Sequence, residues 1–396
     1  MFRPDRMKFG IFLAPFHRHY ENPTLSLERD MRLIELLDEL DYDEAWVGEH
    51  HSAGWETIAS PEVFMGIAAQ RTRRIMLGTG VISLPYHHPL MVANRMVLLD
   101  HLTRGRVMLG VGPGALYSDA QMLGIPVPSL RERMEESLDV IMRLLTETEP
   151  ITYKSAWFEL NNATLHLRPY TRPHFPISVA SVQSPAGVTL AGKHGAGVLS
   201  IGVTLGLRGA VDPKRQWEIA EETAAKHGKT MNKHEWRIVT PLHVAPTRKE
   251  ALADVQDGGT EFLRKYWVDA LGNRHNVPEP DNEETLIEQL SDAGQWIVGS
   301  PDDCVAAIER LQEMTGGFGG LLFRANEYAN PEATRRSYEM FARYVMPKFQ
   351  NSLGSLDQSY NRVVANVAET KAQGQAAIER AHNRFEQREA AESGSR

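Results

Sequence analysis

The sequence predicts an α/β fold, a (β/α)8 TIM barrel with insertions and a helical C-terminal tail. Three observations predict it. Four early segments share one order, in which a short apolar run ends in a polar or glycine-rich turn and a helix-like stretch follows: Lys8 to Pro15, Glu44 to His51, Ile75 to Ile82 and Arg106 to Gly114. The same alternation, followed to the C-terminus, gives eight strand–helix pairs. The second run ends in Glu49-His50-His51, and a parallel barrel builds its chemistry from side chains delivered at the C-terminal ends of its strands.

Each element has its own reason. After the first strand, Met31, Leu33, Ile34, Leu36, Leu37 and Leu40 recur at the spacing of an amphipathic helix. The second strand covers 44–50. Its helix opens at Ser60-Pro61, a cap residue before a first-turn proline. The third strand covers 75–83, with a helix from Pro89 to Leu102. The fourth covers 106–112, and its helix runs from Arg131 to Leu145 after a long loop. Ile151 to Leu167 alternates and reads as an inserted hairpin. The fifth strand is Pro176–Ser181, with a helix from Pro185 to Lys193. The sixth is Ala196–Ile201, followed by a glycine-bearing loop (202–212) and a helix near 213–227. The seventh strand is expected at 237–244. The polar stretch 256–295 reads as a second insertion with short helices. Trp296 to Pro301 opens a helix to Met314, Gly319–Arg324 is the eighth strand, and Pro331–Met346 closes the ring.

The expected domain division is a barrel over 1–350, with insertions near 151–168 and 256–295, and a polar helical or partly disordered tail over 351–396. The tail balances six basic against six acidic residues and has few apolar positions.

Composition limits the function classes. A net charge of −8, with no basic block, points away from nucleic acid. The single cysteine, Cys304, excludes an internal disulfide and a cysteine-based metal site, and fits a cytoplasmic location. No apolar run reaches the ~18 residues of a membrane span. His17/His19, His50/His51 and His87/His88 are close pairs, but none has the His-x-x-x-His spacing of a helical metal site. No metal is expected.

Four constellations carry chemistry. His50 has a side chain that titrates near neutrality, and a neighbouring carboxylate orients such a group and raises its pKa. Gly110 to Gly114 forms a Gly-x-Gly-x-Gly turn, unlike a dinucleotide fingerprint, in which Gly112 and Gly114 would let a flat ligand approach the backbone. Ala180 to Gly187 contains Ser181 and Ser184, with Ser184 at an expected N-cap and Pro185 at the first helical position. Such a helix start favours phosphate, and Arg131 and Arg133 open the preceding helix as candidate cations. Phe12, Phe16, His17, Trp55, Tyr86 and Tyr117 fall at or beyond strand ends and are read as lining an apolar substrate pocket.

With these pieces placed, the sequence resembles the bacterial luciferase-like flavin monooxygenases. The carrying motifs are Trp46-Val-Gly-Glu-His-His51, Leu77-Gly-Thr-Gly-Val-Ile-Ser-Leu-Pro85, His88-Pro89, Leu99 to Arg106, Leu109-Gly-Val-Gly112 and Ile297-Val-Gly-Ser-Pro301. They span residues 7–347 and look most like the limonene 1,2-monooxygenase-type group. The resemblance implies a TIM barrel that binds reduced FMN at its C-terminal mouth, supplied by a separate NAD(P)H-dependent flavin reductase. It further implies O2 as co-substrate, a small apolar substrate such as a terpene, and a homo-oligomer. His50 matches the catalytic histidine. Gly80 and Val81 match a non-prolyl cis bond beneath the isoalloxazine ring. Ser184 matches a phosphate-contacting serine. Gly112 stands where luciferase has a reactive cysteine, and Pro113 where it has an arginine near the phosphate. Alternatives at this point are Baeyer–Villiger oxygenation of a ketone, deazaflavin-dependent hydride transfer on the same barrel, and a non-catalytic flavin-binding protein.

Overall fold

The computed structural model describes residues 1–14, 16–182, 184–203, 211–274, 277 and 285–393. Most of the loop 202–212 and much of 275–284 therefore lie outside the described residues. Eight parallel strands form a closed ring: β1 (Lys8–Leu13), β2 (Glu44–Val47), β3 (Met76–Thr79), β4 (Val107–Gly112), β5 (Ile177–Ser181), β6 (Gly197–Ser200), β7 (Trp236–Thr240) and β8 (Gly320–Arg324). β1 pairs with both β2 and β8, and the ring closes between β3 and β4 at Leu77↔Val107 and Gly78↔Met108. The expected barrel is present.

The period-2 alternation of strand side chains sorts residues into two cores. Phe12, Trp46, Met108, Leu199, Val239 and Leu322 meet inside the ring. Their neighbours, among them Ile11, Val47, Ile238, Leu321 and Phe323, join the larger core beneath the helices. Cys304 is part of that larger core, on the helix Pro301–Thr315, and burial pushes its thiol pKa up.

Below the inner core, at the N-terminal ends of the strands, sit two buried charges. Arg237 Nη2 donates to Glu44 Oε1 at 2.7 Å and its Nε to Oε2 at 2.8 Å. Trp46 Nε1 donates to the same carboxylate at 3.0 Å, and Lys8 Nζ lies 3.4 Å away. Burial alone would raise the Glu44 pKa, but Arg237 and Lys8 outweigh it and hold the group at about 2.

Three expectations change. The seventh strand does not run through 237–244. It breaks at Pro241, which has no N–H for the ladder; Leu242–Val244 leaves the barrel and pairs in parallel with Ile297–Gly299. The helix after β5 starts at Ala186 with Pro185 as its cap, one residue later than expected. The stretch 256–295 is not uniformly polar. Its first residues end the helix Arg248–Glu261, which continues as a π-helical segment, Phe262–Ala270. Phe262, Leu263 and Tyr266 there build a second apolar core with Phe16, Trp55 and Trp296.

The hairpin is present as Ile151–Lys154 paired with Glu159–Ala163. Met1–Phe349 forms one compact unit and Gln350–Arg396 another. The second unit holds two helices, Gly354–Ala365 and Val367–Ser393, neither with a buried residue. We propose that 1–350 folds without it. The truncated chain is expected to keep the circular dichroism and thermal midpoint of the full protein. An insoluble or unfolded product would show that the tail is required.

Candidate active site

The segment after β2 turns back on itself through Ala53 and Gly54, both with left-handed backbone. Glycine adopts that conformation without strain. His50 N–H then donates to the Ile58 carbonyl at 3.1 Å. This turn brings Glu56 back beside His50, with His50 Nε2 3.2 Å from Glu56 Oε2. On the other side, His50 Nδ1 lies 3.0 Å from Asp119 Oδ2. Asp119 sits on a short helix, Tyr117–Met122, in the loop after β4. It also accepts the His51 N–H at 3.1 Å and the Ser52 hydroxyl. Glu56 accepts a further hydrogen bond from the Tyr266 hydroxyl.

An imidazole held between two carboxylates is stabilised as the cation. Burial pulls the His50 pKa down, but Glu56 and Asp119 outweigh it and raise it overall. The Asp119 carboxyl, which burial would raise, is held low by His50 and Ser52. Behind this group, Glu49 is fully buried and shared. Its Oε1 meets His51 Nε2 at 2.9 Å and His87 Nε2 at 2.6 Å, and its Oε2 accepts the Ser83 N–H at 2.7 Å. Burial acts to raise the Glu49 pKa, and the two histidines bring it down. The hydrogen bond to Glu49 raises that of His51.

Beside the histidine pair lies a cradle of backbone. The Gly80–Val81 peptide is cis. A Cβ on Gly112 would meet Val81 Cγ2 at 2.5 Å, and one on Gly114 would meet the Tyr86 hydroxyl at 2.2 Å. That hydroxyl is buried without a hydrogen-bond partner among the described residues. A planar ring with polar edge atoms fits such a place: the glycines allow close approach, and Tyr86 offers an unused donor.

The other expected residues are placed as follows. Phe16 stacks on Trp55, with centroids 4.5 Å apart, and packs near Tyr266, so both line the side of the mouth where Glu56 sits. Phe12 belongs to the inner core of the barrel. His17 is buried with both ring nitrogens engaged, by Thr57 and Asp30, each at 2.6 Å. Tyr117 is exposed. Ser181 is buried and its hydroxyl donates to Gln216 at 3.1 Å. Ser184 is half-buried just before the helix Ala186–His194. That helix packs tightly on β5: a Cβ on Gly187 would lie 2.3 Å from the Ala180 carbonyl oxygen. Arg131 is exposed, and Arg133 stacks over the hairpin's Trp157 at 5.0 Å. Asp119, Glu56 and Tyr266 were not singled out in the sequence, and His87 stood there only in a histidine pair weighed for metal binding. Among the described residues no three His, Cys, Asp or Glu side chains are grouped so as to hold a metal ion. Among them, too, no helix is long and apolar enough to cross a membrane.

Comparison with known proteins decides the family. Residues 7–316 match the model of the luciferase-like monooxygenases. The chain belongs to the luciferase-like monooxygenase family. It is 48% identical to 4-hydroxyprotoasukamycin monooxygenase of Streptomyces nodosus subsp. asukaensis, over 93% of this chain and 99% of that one. It is 44% identical to limonene 1,2-monooxygenase of Rhodococcus erythropolis, over 96% of each. Among solved structures, the oxygenating constituent of 3,6-diketocamphane monooxygenase from Pseudomonas putida, a type II Baeyer–Villiger enzyme in complex with FMN, superposes with a TM-score of 0.73. That match is 26% identical and covers 87% of this chain and 99% of that one. This luciferase-like chain is thus a flavin-dependent monooxygenase, as the sequence motifs implied.

Proposed function

We propose that this monooxygenase takes reduced FMN from a separate NAD(P)H-dependent flavin reductase and uses O2 to oxygenate a small, largely apolar organic substrate of terpene size. The observation that carries the reading is the half-buried His50, held between Glu56 and Asp119 beside the glycine cradle. Cytoplasmic location and assembly with further copies of the chain belong to the same proposal.

The residues present suit the flavin. Val81, Gly112, Gly114 and Tyr86 would hold the ring. Ser181, Ser184 and the start of the helix Ala186–His194 would hold the phosphate, where free N–H groups and the helix dipole favour an anion. Reduced flavin, when bound, supplies the electrons that activate molecular oxygen. Phe16, Trp55 and Phe262 keep water from the mouth. His50 holds a proton at Nε2, shared with Glu56, while Asp119 fixes the ring through Nδ1. Tyr266, donating to the other Glu56 oxygen, keeps that carboxylate in place.

The decisive experiment is product analysis by mass spectrometry with ¹⁸O2, FMN, NADH, a flavin reductase and a panel of terpenes and cyclic ketones. One labelled oxygen in the product supports the proposal. Flavin reduction without labelled product from any substrate overturns it. The phosphate site has its own test. Ser184→Asp is expected to weaken FMN far more than riboflavin, which has no phosphate to repel. Equal weakening would move the phosphate elsewhere.

A further inference from the structure

Among the described residues two arginines are buried inside the barrel ring, and they differ in one respect. Arg237, at the closed end, is neutralised by Glu44. Arg324, the last residue of β8, has no such partner among the described residues. It shares the strand parity of the inward-facing Leu322, so its side chain points into the mouth. It is 92% buried, its relative exposure being 8%. Its Nη2 donates to the Ile201 carbonyl at 3.3 Å, its guanidinium lies 5.6 Å from the Trp267 ring centroid, and its Nε has no hydrogen-bond partner among the described residues. Among the described residues no carboxylate pairs with it.

A buried guanidinium without a counter-charge is costly unless something satisfies it. Arg324 faces a cleft walled by Phe262, Leu263, Trp267 and Trp296. Tyr266, which bonds the His50 partner Glu56, lies near enough for the positive charge of Arg324 to act on its hydroxyl. The cation therefore stands in an aromatic wall on the His50 side of the mouth.

We infer that Arg324 is a specificity-determining residue, and that the substrate carries an oxygen acceptor, a carbonyl or enolate oxygen, which the buried guanidinium binds. The inference rests on the oxygenase reading above and narrows its substrate from any terpene-sized apolar compound to one with a polar oxygen. A site built to hydrogen-bond an oxygen rejects the analogue that lacks it, because its own polar group is then left unpaired.

The test uses two probes of one carbon skeleton, limonene and its ketone analogue carvone, titrated calorimetrically into the full chain with and without FMN. The wild type is expected to favour carvone by about 10- to 100-fold, the range of a hydrogen bond to a charged group. Arg324→Met is expected to abolish that preference with FMN affinity unchanged, and Arg324→Lys to keep part of it. Should Arg324→Met fold poorly by circular dichroism, Arg324→Gln, neutral but still polar, takes its place and is expected to lose most of the preference. An Arg324→Met protein that still favours carvone overturns the inference. So does a wild type with no preference, or a loss of FMN affinity in Arg324→Met. If the wild type binds no FMN, the flavin reading fails, and the two probes still decide the role of Arg324 in the flavin-free protein.

Discussion

Replacing His50 by alanine is expected to lower substrate oxygenation by ~10²–10⁴-fold, the usual contribution of a positioned acid–base group, with fold and FMN affinity retained. His50 lies half-buried between two carboxylates at the mouth. The same geometry sets a pH dependence. Glu56 and Asp119 raise the His50 pKa above its ordinary 6.5, so the imidazolium persists above that pH. The rate limb assigned to it should lie above 6.5 and move to lower pH in Asp119→Asn, which removes one of the raising charges. Rate profiles of product formation check both. A His50→Ala enzyme with near wild-type turnover would remove the residue from the mechanism, and an unmoved limb in Asp119→Asn would assign it to another group.

The largest stability effect is expected at the opposite end of the barrel. Arg237→Met leaves Glu44 buried without its principal partner, and breaking such a pair costs about 3–5 kcal/mol. Lys8 Nζ, 3.4 Å from Glu44, offsets only part of this. Adding Glu44→Gln to Arg237→Met should recover much of the loss, because no buried charge then remains. The sign with pH is defined. The folded pKa of Glu44, about 2, lies below its ordinary 4.5. Its contribution is therefore fully present above pH 4.5 and is lost as pH falls toward 2. Urea unfolding of the wild type and both variants at pH 7 and pH 3 tests this. An Arg237→Met protein as stable as the wild type at pH 7 would refute it.

The barrel was legible because strand–helix alternation is a local pattern, repeated eight times. The break at Pro241 was also written locally, in a proline that cannot donate to a ladder, but an apolar run extends across it and masks it. His50 was legible for its place at a strand end. Its partners were not. Asp119 is 69 residues away on a six-residue helix, and Tyr266 comes 210 residues after Glu56. No periodicity ties such loop residues to the histidine; only closure of the ring brings them together. His17 carried the same outward signal as His50, yet it is buried between Asp30 and Thr57, whereas His50 is half-buried between two carboxylates, a difference that depends on tertiary neighbours. The apolar character of Phe262 to Val268 was hidden by the polar residues that surround it in sequence.

The burial of Cys304 offers a way to watch the molecule open. A disulfide-exchange dye reacts with a thiolate it can touch, and here the lone sulfhydryl is sealed between the helix Pro301–Thr315 and the barrel wall. The native protein should stay silent toward such a dye and take up one equivalent when that helix lifts. The chain thus carries a built-in stopwatch for breathing of its β8-side wall. It needs no engineered cysteine, and no second thiol blurs the signal.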